Sequence, residues 1–141
     1  MTVSADPEFL VDTSVAVALS VLGHEGRPAA LAVLKGRRVG LAGQAAYETF
    51  SVLTRLPGTA RRTPAAAARL LATNFPHTRF LSQAGAANLL AALPATGVSG
   101  GAVYDALVGA TAVECGVPLV TRDRRALGTY RALEVDVIVV Q

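Results

Sequence analysis

The chain has 141 residues, enough for one domain with a hydrophobic core of its own. With 52% hydrophobic and 16% charged residues it is too apolar for a disordered segment, yet no uninterrupted apolar stretch approaches the ~18 residues of a membrane span. The net charge is +3, and of the 13 basic residues only Lys35 is lysine; the planar fork of arginine suits phosphate, although a GC-rich coding sequence leaves the same bias.

The amino terminus, Met1 to Pro7, lacks the basic region and apolar run of a secretory leader. The single cysteine, Cys115, permits no internal disulfide and fits a reducing compartment, so a cytoplasmic protein with no membrane association is expected. Phe9 to Val11 reads as a first strand, running straight into Asp12-Thr13-Ser14. Ser14 to Leu22 follows as a helix that Gly23 ends. Pro28 sits in the first turn of a second helix reaching Lys35. Val39 to Ala42 is a second strand, and Gln44 to Leu56 a helix stopped by Pro57-Gly58. Thr63-Pro64 opens an alanine-rich helix that ends near Asn74.

Arg79 to Leu81 reads as a third short strand, and Ser82 caps a helix to about Leu93. A loop from Pro94 to Gly101 feeds a helix from Ala102 to Cys115, closed by Gly116 and Pro118. Leu119 to Thr121 is a fourth strand, Arg122 to Leu127 a short turn or helix, and Val135 to Val140 a final strand. Strands alternating with helices predict one α/β domain over residues 1–141, a short parallel sheet flanked by helices. In such sheets ligands bind beyond the carboxyl ends of the strands. Asp12 and Asp123 both follow strands, and they share one edge if those strands are neighbours.

Four acids stand out, each with a plainer explanation when taken alone. Asp12, or Thr13 beside it, can cap the next helix. Glu48 can face water from mid-helix, Asp105 can favour its helix dipole, and Asp123 can form an Asx turn or pair with nearby arginines. Yet Asp105 shares its helical face with Val108, Gly109 and Ala112, a small apolar face that implies close packing at a crowded edge. Four clustered carboxylates repel by roughly 1 kcal/mol per pair at ~4 Å even at water's dielectric, so they persist by protonation or by binding a cation. Ligation by oxygen alone selects Mg²⁺ or Mn²⁺; His24 and His77 read as loop residues and Cys115 as core. Such an ion suits phosphate chemistry: it polarises a phosphoryl oxygen, makes hydroxide available and steadies a leaving oxygen. Ser14 and Thr121 add hydroxyls that can orient a carboxylate. There is no Gly-Lys-Ser/Thr phosphate loop and no Ser/His/Asp arrangement.

The segments Phe9-Leu-Val-Asp12-Thr-Ser14, Tyr47-Glu48-Thr-Phe-Ser-Val-Leu-Thr-Arg55-Leu56, Tyr104-Asp105-Ala-Leu-Val-Gly-Ala and Thr121-Arg-Asp123 resemble the PIN-domain ribonucleases, above all the VapC toxins of bacterial toxin–antitoxin pairs. The resemblance covers essentially the whole chain. It implies a PIN-like three-layer fold, with Asp12, Glu48, Asp105 and Asp123 as catalytic metal ligands and Ser14 and Thr121 as supporting hydroxyls. It further implies Mg²⁺- or Mn²⁺-dependent endonucleolytic cleavage of RNA, a homodimer, and a VapB-like antitoxin that blocks the site, in a heterotetramer or larger complex. Some members carry a further acid where this chain has Arg125, which puts a fully occupied second metal site in doubt. Arg122, Arg124 and Arg125 are then candidates for RNA phosphates. The basic turn around Arg55, Arg61, Arg62 and Arg69 is either a second contact for RNA or a partner, or a solvated helix end. The competing expectations are a non-catalytic PIN-like interaction module, which has no need of four mutually repelling acids, and a metal-dependent nuclease acting on DNA.

Overall fold

Leu10 and Val11 are neighbours in sequence and point to opposite faces of one sheet, and both are fully buried. That pair sets the architecture in the computed structural model, which describes residues 5–141. Met1 to Ser4, part of the stretch read above as lacking a leader, lie outside the described residues. Four strands, β1 (Phe9–Val11), β2 (Val39–Leu41), β3 (Leu119–Thr121) and β4 (Val137–Val139), form a parallel sheet in the order β2-β1-β3-β4. In register, Val11 stands opposite Leu41 on one side and Val120 on the other. Seven helices flank the strands among the described residues: α1 (Thr13–Ser20), α2 (Arg27–Leu34), α3 (Gln44–Thr54), α4 (Pro64–Asn74), α5 (Gln83–Thr96), α6 (Ala102–Cys115) and α7 (Leu127–Ala132).

On one face of the sheet Val11, Val15, Leu34, Leu41, Phe75 and Val120 pack together. On the other, Leu10, Ala42, Val108, Ala112, Leu119 and Tyr130 do so. Burial on both faces explains why the strands are continuous apolar runs instead of alternating ones. Local chemistry sets the helix ends. Thr63 accepts from Ala66 N at 3.2 Å to start α4, Ser82 accepts from Gly85 N at 2.9 Å to start α5, and Gly116 closes α6 at φ +67°. Among the described residues no helix is long and apolar enough to cross a membrane.

Two expectations are corrected. Arg79 to Leu81 is not a strand; it makes a single parallel bridge, Arg79 to Ala42. The reason lies one step earlier, where the hydroxyl of Thr78, not a backbone carbonyl, accepts from Leu41 N at 3.0 Å. A side chain has taken the place of a ladder partner. The second correction is Pro94, read as loop but lying inside α5, which runs on to Thr96. A proline there removes one hydrogen bond, to the carbonyl four residues back, and Leu90 is on the exposed side of the helix, where water can serve.

Candidate active site

The pairing of β1 with β3 builds the centre of the site. Asp12 leaves the end of β1 with its backbone N bonded to Val120 O at 3.3 Å, so its side chain meets the end of β3 directly. The carboxylate is buried and accepts from four donors. Ser14 Oγ (2.5 Å) and Val15 N (3.3 Å) hold Oδ1. Thr121 Oγ1 and Tyr130 Oη (2.9 Å) hold Oδ2. The Val15 bond is the N-cap of α1, so Asp12 is both helix cap and cleft acid. Burial pushes its pKa up, and the four hydrogen bonds oppose that rise.

Around Asp12 lies a cavity of about 60 Å³ walled by Glu48 of α3, Asp105 of α6 and Asp123 after β3, with Thr13, Ser14, Val108 and Tyr130 between them. All four acids singled out in the sequence thus face one small space at the carboxyl edge of the sheet. Thr13 Oγ1 donates to Glu48 Oε2 at 3.2 Å. Burial raises the Glu48 pKa, the Thr13 bond lowers it, and the Asp12 charge raises it again. Asp105 is pushed up to about 6, first by burial and then by the charges of Asp123, Glu48 and Asp12, while Arg125 pulls the other way. Asp123 Oδ1 accepts from Arg125 N at 3.0 Å and lies 3.5 Å from Arg125 Nε, whose side chain is exposed.

The lining offers oxygen donors only, with no lysine or arginine among them, which is the donor chemistry of a hard divalent cation. Among the described residues no three acidic, histidine or cysteine side chains are drawn together tightly enough to grip an ion as they stand. Each of three carboxylates is turned to its own donors: Asp12 to its four, Glu48 to Thr13, Asp123 to the Arg125 amide. Mutual repulsion favours that arrangement until positive charge enters.

Ser14 and Thr121 both donate to Asp12, and each has a second task. Ser14 Oγ accepts from Arg122 N (2.8 Å), and Thr121 Oγ1 from Asp123 N (3.0 Å). Arg124 and Arg125 follow Asp123 on exposed backbone, but Arg122 does not join them. Its Nε donates to Gln141 O at 3.0 Å, and its guanidinium lies against Gly26. Of the basic turn, Arg61 Nε donates to Leu56 O at 2.9 Å and so ties down its own loop. His24 Nδ1 accepts from Gly26 N at 2.9 Å and does not line the cavity. Two site residues carry no sequence signal of their own: Thr13, which passes for a cap, and Tyr130, which passes for core.

The family profile described as PIN domain matches residues 9–132, a span that contains all four acids. The chain is 44% identical over 133 residues to Ribonuclease VapC27 of Mycobacterium tuberculosis, covering 94% of this chain and 97% of that protein. It is 46% identical over 130 residues to Ribonuclease VapC40 of Mycobacterium tuberculosis, covering 89% and 94%. Among solved structures, FitAcB from Neisseria gonorrhoeae matches with a TM-score of 0.65 at 19% identity, over 92% of this chain and 96% of its own, a likeness of fold.

Proposed function

The chain belongs to the PIN-domain family, and on that premise we propose that it is the toxin of a type II toxin–antitoxin pair, an endoribonuclease that depends on Mg²⁺ or Mn²⁺. The observation that carries this reading is the meeting of Asp12, Glu48, Asp105 and Asp123, from four separate segments, on one cavity. Nothing about folding requires four acids to share about 60 Å³; a cation that stabilises them and a phosphate group does. When bound, the ion would polarise a phosphoryl oxygen of RNA and neutralise charge developing in line between the entering water and the departing ribose oxygen.

The chain's own residues do the rest. Asp12, held by four donors, supplies the fixed carboxylate of the cation site. Thr13 orients Glu48, and Ser14 and Thr121 join Asp12 to the Arg122–Asp123 turn. Asp105, with a pKa near 6, is the member best placed to take up or release a proton close to neutrality while no cation is present. Arg124 and Arg125, exposed next to Asp123, and Arg122, whose Nε donates to Gln141 O, are the candidates for RNA phosphates. A VapB-like antitoxin covering this cavity, and a homodimer as the unit it binds, complete the reading.

Metal removal tests it directly. Purified protein should cut RNA in Mg²⁺ or Mn²⁺, lose about a hundredfold or more in rate in excess EDTA, and recover when Mn²⁺ is restored. Matched DNA should be cut far more slowly. Cleavage of RNA that persists in excess chelator would remove the cation from the mechanism. Faster cleavage of the DNA would replace the ribonuclease reading with a deoxyribonuclease one.

A further inference from the structure

Two of the four donors on Asp12 have other work: Ser14 Oγ accepts from Arg122 N, and Thr121 Oγ1 accepts from Asp123 N. A third, Val15 N, lies in the first turn of the helix that Asp12 caps and is supplied by local sequence. Tyr130 Oη has Asp12 Oδ2 as its one polar partner among the described residues, although its ring is 1% exposed and among the largest fully buried side chains. The tyrosine comes from α7, 118 residues along the chain from Asp12. Unlike Thr121, it lines the acidic cavity, and both hydroxyls donate to Oδ2.

The ring has a seat made for it. Gly109 lies in the interior of α6, where glycine is less favourable than alanine. A Cβ at that position would lie 2.9 Å from Val135 Cγ2, too close without a shift, and 3.2 Å from Tyr130 Cδ1, tight enough that the ring would have to give by a few tenths of an ångström. The absent methyl therefore lets the tyrosine ring sit close against α6.

We propose that Tyr130 is a positioning residue for the reaction, its O–H fixing the rotation of the Asp12 carboxylate at the cation site, with Gly109 as the seat that aims the ring. A carboxylate free to turn presents its oxygens to an ion at varying angles; one pinned at both oxygens presents them at a fixed angle, and losing such a support lowers metal affinity by about 10–100-fold. The inference rests on the reading of Asp12 as a cation ligand.

Tyr130→Phe keeps the ring and removes only the O–H. Mn²⁺ titration followed by electron paramagnetic resonance should give a dissociation constant raised about tenfold. The turnover number on RNA should fall by a similar factor while KM for RNA stays unchanged. A tyrosine that merely filled the core would alter thermal stability and leave Mn²⁺ affinity alone. Gly109→Ala retains the phenol but displaces the ring, and should weaken Mn²⁺ binding in the same direction. If Tyr130→Phe binds Mn²⁺ within twofold of the wild type, the positioning role is overturned while the cation site stands. If the wild type itself binds no Mn²⁺ at millimolar concentration, the site reading and the inference fall together.

Discussion

Asp105→Asn should abolish RNA cleavage and at the same time raise the melting temperature of the metal-free protein. The two effects have one cause. Asp105 is the carboxylate on which the other three acids bear, and its pKa of about 6 records burial first and their repulsion next. Its proton is held more tightly in the folded chain than in the unfolded one. Protonated, the group therefore favours folding; ionised, it opposes it. The penalty is complete above pH ~6, shrinks as pH falls, and is gone below the ordinary Asp value of ~4. Asparagine cannot ionise and escapes it.

A rise from the ordinary Asp value of ~4 to about 6 corresponds to roughly 3 kcal/mol without screening, and partial exposure reduces this to about 1 kcal/mol. At pH 7.5 the variant should melt about 2–5 °C above the wild type, and at pH 4 the two should coincide. Added Mn²⁺ should raise the wild-type melting temperature and leave the variant nearly unmoved. Loss of a ligand carboxylate should lower cleavage by about a hundredfold or more. Differential scanning fluorimetry across pH, paired with a gel assay, reads both. A variant destabilised at pH 7.5 would mean that Asp105 is not strained by its neighbours, and one still active would mean that the reaction does not need it.

Gly40→Ala should strongly destabilise the protein although it adds one methyl group. The Cβ would fall inside the carbonyl of His77 and against Thr78 N, which are backbone atoms and cannot swing aside as a side chain can. The segment 77–79 is clasped to β2 by His77 N to Val39 O (3.3 Å), Leu41 N to Thr78 Oγ1 (3.0 Å) and Arg79 N to Leu41 O (3.1 Å). Gly43 N to Arg79 O (2.7 Å) extends the clasp to the start of α3, the helix that carries Glu48. Forcing the segment off β2 breaks these bonds together. We expect a loss of about 3 kcal/mol or more and a melting temperature about 10 °C lower, read by thermal and urea denaturation. Gly128→Ala is the control. It lies in α7 with open space around its Cβ position and should be neutral or stabilising by up to about 1 kcal/mol. Equal melting temperatures for the wild type and Gly40→Ala would show that the segment yields freely.

The site was legible in the sequence because its acids break local rules. A carboxylate directly after an apolar strand, as at Asp12 and Asp123, is costly unless something outside the strand stabilises it, and strand-end position on a parallel sheet is readable from alternation alone. The pattern also predicted α6 with its bounds of Ala102 and Cys115, since its capping glycine and flanking proline are local signals. Asp105 was legible by its apolar helical face, and Glu48 only as part of the set.

The sequence by itself therefore determined which residues carry the charge, the four strands of the sheet and most of the helices, and which end of the sheet would be polar, because those depend on spacing and composition over a few residues. It gave no sign of α7, which brings Tyr130 to the site. Tertiary structure alone decided what those residues touch. Tyr130 reaches Asp12 across 118 residues, Thr13 turns to Glu48 across 35, and Arg122 is drawn away to Gln141. The segment at Arg79 became a single bridge because a threonine hydroxyl, not a backbone carbonyl, met Leu41 N. Each of these is a contact between distant parts of the chain, fixed by how the sheet and helices pack. No local periodicity records it, because the energy that selects it exists only once the partners have been brought together.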